Sequence, residues 1–407
     1  MNESTSGPVR RRRVFYIPGY DPFPARRYRE LYRREGEAQA RISRYRLQVL
    51  PRTGPGYGWH VMAQIDGRRT ETEFQVLVWA DLVRGSMVRG VAGTYGLLAR
   101  TFWIYLSTGA MGRLFRLRRG PVITAMYPVV VLLGQLLLAL GLGWAIWRMT
   151  AAVVPGAGAV IGVPAGMAAG WAILVGFRRL DRRLYARYLL HDYGFTAQHR
   201  GRTPPELRTR LDDFAAEIGR ALASEVDEVL IVGHSSGAHL GVETLAQLLR
   251  GGAVRPEGPA LAFLTLGQAI PMQSFLPEAR RLRADLHLLA GSNSLTWVDV
   301  SAPGDGCCYA LCDPVAVSGA APGNKRWPLV VSAAFSQTLL PDTWKRLRRR
   351  FFRLHFQYLC AFDGPSHYDY FRITAGPETL ADRYAGRTPS ASRKETVLSP
   401  HTDRTAA

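Results

Sequence analysis

From Tyr127 to Trp147 the chain reads YPVVVLLGQLLLALGLGWAIW, with no charged residue and with Gln135 as its one strongly polar side chain. As a helix rising 1.5 Å per residue, this run covers about 30 Å, the thickness of a bilayer hydrocarbon core. After Arg148, Met149 and Thr150 a second uncharged run extends from Ala151 to Phe177. Two such runs back to back predict a transmembrane helical hairpin over residues 121–177, turning at Arg148–Thr150. The flanks orient it. Arg113, Arg116, Arg118 and Arg119 precede the first run, and Arg178, Arg179, Arg182 and Arg183 follow the second, against one arginine at the turn. Positive flanks stay inside, so both termini and the soluble domain are expected in the cytoplasm of a two-helix, multi-pass protein. Gly158, Gly162, Gly166 and Gly170 recur every fourth residue and line one face of the second helix. Such a ridge lets another backbone approach closely, either the first helix or a second copy of the chain in a homodimer.

Composition narrows the partners. The formal net charge is +20, and of 52 basic residues only Lys325, Lys345 and Lys394 are lysine. That excess suits an anionic membrane surface, and the lipid bilayer is the expected partner. No aromatic-interleaved nucleic-acid module accompanies the arginines, so nucleic acid is not expected as a partner. Four cysteines in 407 residues do not make a disulfide scaffold. Cys307, Cys308 and Cys312 lack the spacing and histidine partners of a zinc site, so no metal is expected. Neither a phosphate-cradling loop nor a dinucleotide fingerprint is present, so no cofactor is expected. No apolar stretch with a cleavage site precedes the arginines at 10–13, which argues against a secretory signal.

Outside the hairpin, short β-rich apolar runs alternate with helical spacing. Strands are predicted at Val14–Ile17, Arg46–Leu50, His60–Gln64, Phe74–Trp79, Glu228–Val232, Ala260–Leu266, Asp285–Leu289, Leu295–Val300 and Leu329–Ala333. Leu207, Leu211, Phe214, Ile218 and Leu222 mark a helix over 204–224. This pattern predicts an α/β fold, a mostly parallel sheet with helices on both faces, interrupted by the hairpin. The expected divisions are a basic N-terminal segment (1–13), the first part of the α/β domain (14–120), the hairpin (121–177), the main part of the domain (178–387) and a disordered polar tail (388–407). Residues 94–117, with Phe102, Trp103, Tyr105 and flanking arginines, suit equally an interfacial or a core helix.

The segment that carries chemistry is Val229–Leu249. A strand runs into Gly233-His234-Ser235-Ser236-Gly237 and then into a helix beginning Ala238-His239-Leu240. A strand–tight turn–helix around G-x-S-x-G forces the serine into a strained backbone and leaves its hydroxyl exposed. Gly233 and Gly237 remove side chains that would collide with the helix and strand. The helix N-terminus behind Ser235 favours developing negative charge.

Through these residues and their order the soluble parts, roughly 10–80 and 190–380, resemble the α/β-hydrolase superfamily. The resemblance implies a serine nucleophile, then an acid, then a histidine in chain order. For the acid, Asp305 in the loop after a strand is preferred to Asp299 inside it, with Asp313 behind. For the base, His355 among apolar neighbours is preferred to His367 in a polar setting, and His239 is read as structural. Oxyanion donors are expected from Ser236, directly after the nucleophile, and from the Gly19–Tyr20 region after the first strand. The resemblance implies a membrane-anchored serine hydrolase acting on a small ester or lipid through an acyl-enzyme on Ser235. The competing reading is a non-catalytic, membrane-tethered interaction protein on the same fold.

Overall fold

The computed structural model describes residues 7–87 and 90–405, without the side chain of Arg182. Eight strands form one sheet: β1 (Arg11–Ile17), β2 (Arg46–Pro51), β3 (Tyr57–Ile65), β4 (Arg68–Val76), β5 (Glu228–His234), β6 (Ala260–Leu266), β7 (Thr296–Ser301) and β8 (Leu329–Ser332), in the order β2-β3-β4-β1-β5-β6-β7-β8. From β4 to β8 neighbours are parallel, whereas β2–β3 and β3–β4 are antiparallel. The sheet is therefore mixed, which corrects the expectation of a mostly parallel one. The cause is local. Asp66 (φ 53°) and Gly67 (φ 74°) connect β3 to β4, and a two-residue turn of left-handed residues can only reverse the chain into a hairpin.

Alternation within the central strands builds two cores. Val14, Tyr16, Leu230, Val232 and Leu264 face one; Phe15, Ile17, Val229, Ile231 and Phe263 face the other. Period-two side chains buried on both faces are what an interior strand requires. The first core is covered by α1 (Arg26–Ser43), through Tyr28 and Tyr32, and by the C-terminal segment around Tyr358 and Phe371. Next in the chain come α2 (Ala80–Ser86), α3 (Val91–Ser107), α4 (Ala110–Leu117), α5 (Arg119–Val153), α6 (Gly158–Leu184) and α7 (Ala186–Ala197). Covering the second core are α8 (Pro205–Leu222), α9 (Gly237–Arg250) and, after the short α10 (Ile270–Ser274), α11 (Arg280–Gly291).

The strand predicted at Asp285–Leu289 is instead the second half of α11. Leu282, Leu286 and Leu289 are buried in it, and their three-to-four spacing is helical, which a five-residue apolar window conceals. Arg11–Arg13 do not belong to a free basic segment. They form the start of β1, and Arg12 is buried, its Nε 2.5 Å from Glu228 Oε2. The tail expected to be disordered is ordered over 388–405. It runs beside Leu311–Val317, where Lys394 exchanges backbone hydrogen bonds with Leu311 and Asp313. Residues 1–6 and 406–407 of the two terminal segments lie outside the described residues.

Two helices are long and apolar enough to cross a membrane, Arg119–Val153 and Gly158–Asp181, and only 11% of either apolar window is buried. Leu137, Leu140, Val160 and Met167 point outward, each more than half exposed. A core helix of a soluble protein would bury such residues. The turn lies at Val154–Ala157, later than Arg148–Thr150, because Pro155 and the left-handed Gly156 (φ 78°) end the helix there. The glycine ridge is already occupied within the chain. A Cβ on Gly166 would lie 2.3 Å from the Gly143 carbonyl, on Gly158 2.3 Å from that of Thr150, and on Gly170 3.0 Å from that of Ala139. The surface expected to serve a homodimer is thus taken by α5. Residues 94–117 form two helices that bury Leu97, Leu98, Tyr105 and Leu114 and expose Trp103, Leu106 and Phe115.

Candidate active site

At the carboxyl end of β5 the chain turns through Ser235 with φ +56°, a left-handed conformation that non-glycine residues rarely hold. It is held from three sides. The Ser235 N–H donates to the Leu266 carbonyl at 2.9 Å. A Cβ on Gly237 would lie 2.1 Å from the Ile17 carbonyl, and one on Gly233 2.8 Å from the Ala238 Cα. Any side chain at either glycine would push the turn off the end of β1 or off α9.

The loop after β1 is pinned against this turn. Trp79 Nε1–H donates to the Pro18 carbonyl at 2.9 Å, and the Tyr188 hydroxyl donates to that of Tyr20 at 2.5 Å. Gly19 comes so close to the serine that a Cβ there would lie 3.0 Å from Ser235 Cβ. Gly19, Tyr20 and Ser236 all line the cleft onto which Ser235 opens.

His355, at the end of the short helix Phe351–His355, lines the same cleft. Its Nδ1 lies 2.7 Å from Asp305 Oδ2. Asp305 is buried and also accepts the Cys307 N–H at 2.9 Å and the Tyr358 hydroxyl at 3.1 Å. Burial alone would raise its pKa; the His355 ring, with the Cys307 N–H and the Cys308 thiol, outweighs burial and holds the carboxyl below its usual value. Because an ionised carboxylate only accepts, Nδ1 carries the hydrogen, and the lone pair is left on Nε2. That Nε2 is buried and has no hydrogen-bond partner among the described residues. Gly267 (φ 53°) completes the support, since a Cβ there would lie 2.7 Å from the Tyr358 ring and 3.2 Å from that of His355.

The other candidates lie elsewhere. Asp299 is buried inside β7, where it accepts the Thr265 hydroxyl at 2.6 Å, and burial pushes its pKa up to about 8. Asp313 caps the turn Pro314–Val317 and pairs with Lys325. His367 does not line the cleft; its backbone carbonyl accepts from Arg383. His239 is a buried ring on α9 at the cleft wall, and burial lowers its pKa to about 3.

Several cleft residues carried no signal in the sequence. His234 is kept neutral, with its pKa lowered to about 3, by burial and by the neighbouring His355. Its Nε2–H donates to the His355 carbonyl at 3.0 Å. Asp192 on α7 accepts the Ser236 hydroxyl at 3.4 Å, and burial raises its carboxyl to about 7. His234 directly precedes Ser235, but its contact with His355, like that of Asp192 with Ser236, is made only by the tertiary fold.

Asp305, Cys307 and His355 place three donor atoms within 4.8 Å of one another. Two of these donors are spent on each other, and burial together with Asp305 and Asp192 keeps the Cys307 thiol well above its ordinary pKa. No match was found when the chain was compared with protein-family models, curated proteins and solved structures. The chemistry of the cleft has to be argued from its own geometry.

Proposed function

We propose that this protein is a serine hydrolase of α/β-hydrolase type, held at the cytoplasmic face of a membrane by the α5–α6 hairpin. The observation that carries the reading is the His355–Asp305 pair, with its unpartnered Nε2 in the cleft of a serine at φ +56°. Nε2 takes the proton as Ser235 Oγ attacks an ester carbonyl, and Asp305 stabilises the resulting imidazolium. Backbone N–H groups at Ser236 and at Gly19–Tyr20 receive the oxyanion. The alcohol leaves with the proton from Nε2, and a water repeats the sequence in reverse to release a carboxylic acid and free Ser235.

The orientation follows from charge. Arg113, Arg116, Arg118 and Arg119 sit at one end of the hairpin with Arg178, Arg179 and Arg183, and the Tyr127 hydroxyl ties that end together by donating to the Leu184 carbonyl. By the positive-inside rule this is the cytoplasmic end, and the sheet domain hangs from it.

The test is fluorophosphonate labelling of detergent-solubilised protein, wild type beside Ser235→Ala, His355→Ala and His367→Ala. Labelling should vanish in Ser235→Ala, fall by at least about 10³-fold in His355→Ala, and persist in His367→Ala. Folded wild type that takes no label would instead be a membrane-tethered binding protein.

A further inference from the structure

The hairpin does more than reach the bilayer. With 35 residues, α5 is about 52 Å long, some 20 Å more than a hydrocarbon core requires. Its foot therefore stands in the soluble part. There Thr124 Oγ1 donates to the Gly306 carbonyl at 2.9 Å, one residue from Asp305. Pro121, at the same foot, lines the cleft of Ser235.

Behind this foot lies a second hollow, apolar and partly open to the outside. Its walls come from α3 and α4 (Leu98, Phe102, Leu114) and from α5 (Val122, Met126, Val129). Of the polar groups at its margin, Thr101 Oγ1 is buried without a hydrogen-bond partner among the described residues, and two hydroxyls are engaged. The Tyr105 hydroxyl donates to the Met272 carbonyl, and that of Tyr309 is 3.1 Å from the Met272 sulfur. Two side chains, Tyr193 and Met272, line both this cavity and the cleft of Ser235. On the outer side, Ile123 and Val130 of α5 are exposed, continuing the apolar surface of the span.

From this arrangement we infer that the second cavity is an acyl-chain pocket, and that the substrate is a membrane-resident lipid ester. The inference rests on the hydrolase reading above. The ester carbonyl meets Ser235, and the hydrocarbon chain on its acyl side passes between Tyr193 and Met272 into the pocket. An apolar cavity beside a polar reaction cleft fits a molecule with one apolar arm and one reactive head. A pocket walled by the foot of a membrane span lets that arm come from the bilayer without crossing water. Each methylene buried there adds about 0.8 kcal/mol, or roughly fourfold in kcat/KM.

The experiment uses the full chain in detergent micelles with p-nitrophenyl esters from acetate to palmitate, wild type beside Ala125→Trp and Phe102→Trp. Ala125 and Phe102 line the pocket and do not line the cleft. In wild type kcat/KM should climb by roughly fourfold per methylene over the first additions and then level off. Either tryptophan should leave acetate hydrolysis and fluorophosphonate labelling intact while lowering long-chain turnover at least tenfold. Fluorophosphonate labelling also shows that each variant has kept its site. Wild type that labels and cleaves acetate but shows no chain-length rise overturns the pocket and leaves the hydrolase standing. So does a length profile unchanged in both tryptophan variants. A rise found only with alkyl acetates of growing alcohol length overturns the acyl assignment. Wild type that neither labels nor cleaves any ester overturns both readings together.

Discussion

The two ends of the parallel strands treat buried charge in opposite ways. At the amino end, Arg12 and Glu228 face each other across β1 and β5, 0% and 1% exposed. Arg12 also donates to the carbonyls of Gly376 and Glu378, and Glu228 also accepts the Leu380 N–H. All three guanidinium nitrogens and both carboxylate oxygens are engaged. At the carboxyl end, Asp305 is as deeply buried and as fully engaged, but its partner is a histidine whose second nitrogen has none. A closed network of buried charge fixes the chain in place. One that stops at an open lone pair beside a strained serine has capacity left for a reactant. On the proposed reading, the first is structural charge and the second is chemical.

Asp305→Asn is the sharpest way to break the contrast. It should slow fluorophosphonate labelling by about 10⁴-fold, because an amide cannot hold His355 in the tautomer that leaves Nε2 basic. Melting of the variant in detergent should shift far less than its reactivity does. A variant that labels at the wild-type rate would sink the assignment of Asp305. At the other end the sign reverses. Arg12→Ala should destabilise the protein by about 3–5 kcal/mol by leaving Glu228 buried and unpaired, seen as a lowered denaturation midpoint. The fraction that remains folded should label normally. A loss below about 1 kcal/mol would mean that water reaches Glu228.

The smallest effect is expected at Asp299, the rival acid. Its folded pKa, raised to about 8 by burial, lies above the unfolded value near 3.9. Between those values the unfolded chain releases the proton first, so this residue makes stability fall as the pH rises from about 4 towards 8. Asp299→Asn should flatten part of that slope in denaturation midpoints measured across the range, and leave labelling within about twofold of wild type. An unchanged slope would show that Asp299 is ionised in the folded protein.

How far the sequence anticipates this structure depends on the range of the interaction. The helical hairpin is legible because the absence of charge over Tyr127–Trp147 and Ala151–Phe177 is a local property of the chain. The turn at Gly233–Gly237 is legible because its steric demands fall on five adjacent residues. Along the chain Asp305 is preferred to Asp299 and Asp313 only by its place in the loop after a strand. What separates them is the placement of His355, fifty residues away. Asp192 left no trace at all, as its meeting with Ser236 depends on how α7 returns from the hairpin. The antiparallel pairing of β3 with β4 hangs on one dipeptide, Asp66-Gly67. The order of the tail is not legible because its residues are held by backbone hydrogen bonds, which composition does not record.

The order of the sheet also sets a timetable for synthesis. The central strand β1 pairs with β4 on one side and with β5 on the other, and the whole of residues 77–227, hairpin included, lies between those two partners. A ribosome adding about 5–20 residues per second takes roughly 8–30 s to cover that distance. Throughout this interval one edge of β1 stays open, with the sticking hazard of any unpaired strand. On the proposed reading the two apolar helices therefore reach the membrane before the sheet closes, and the Ser235 turn, which follows β5 directly, forms afterwards.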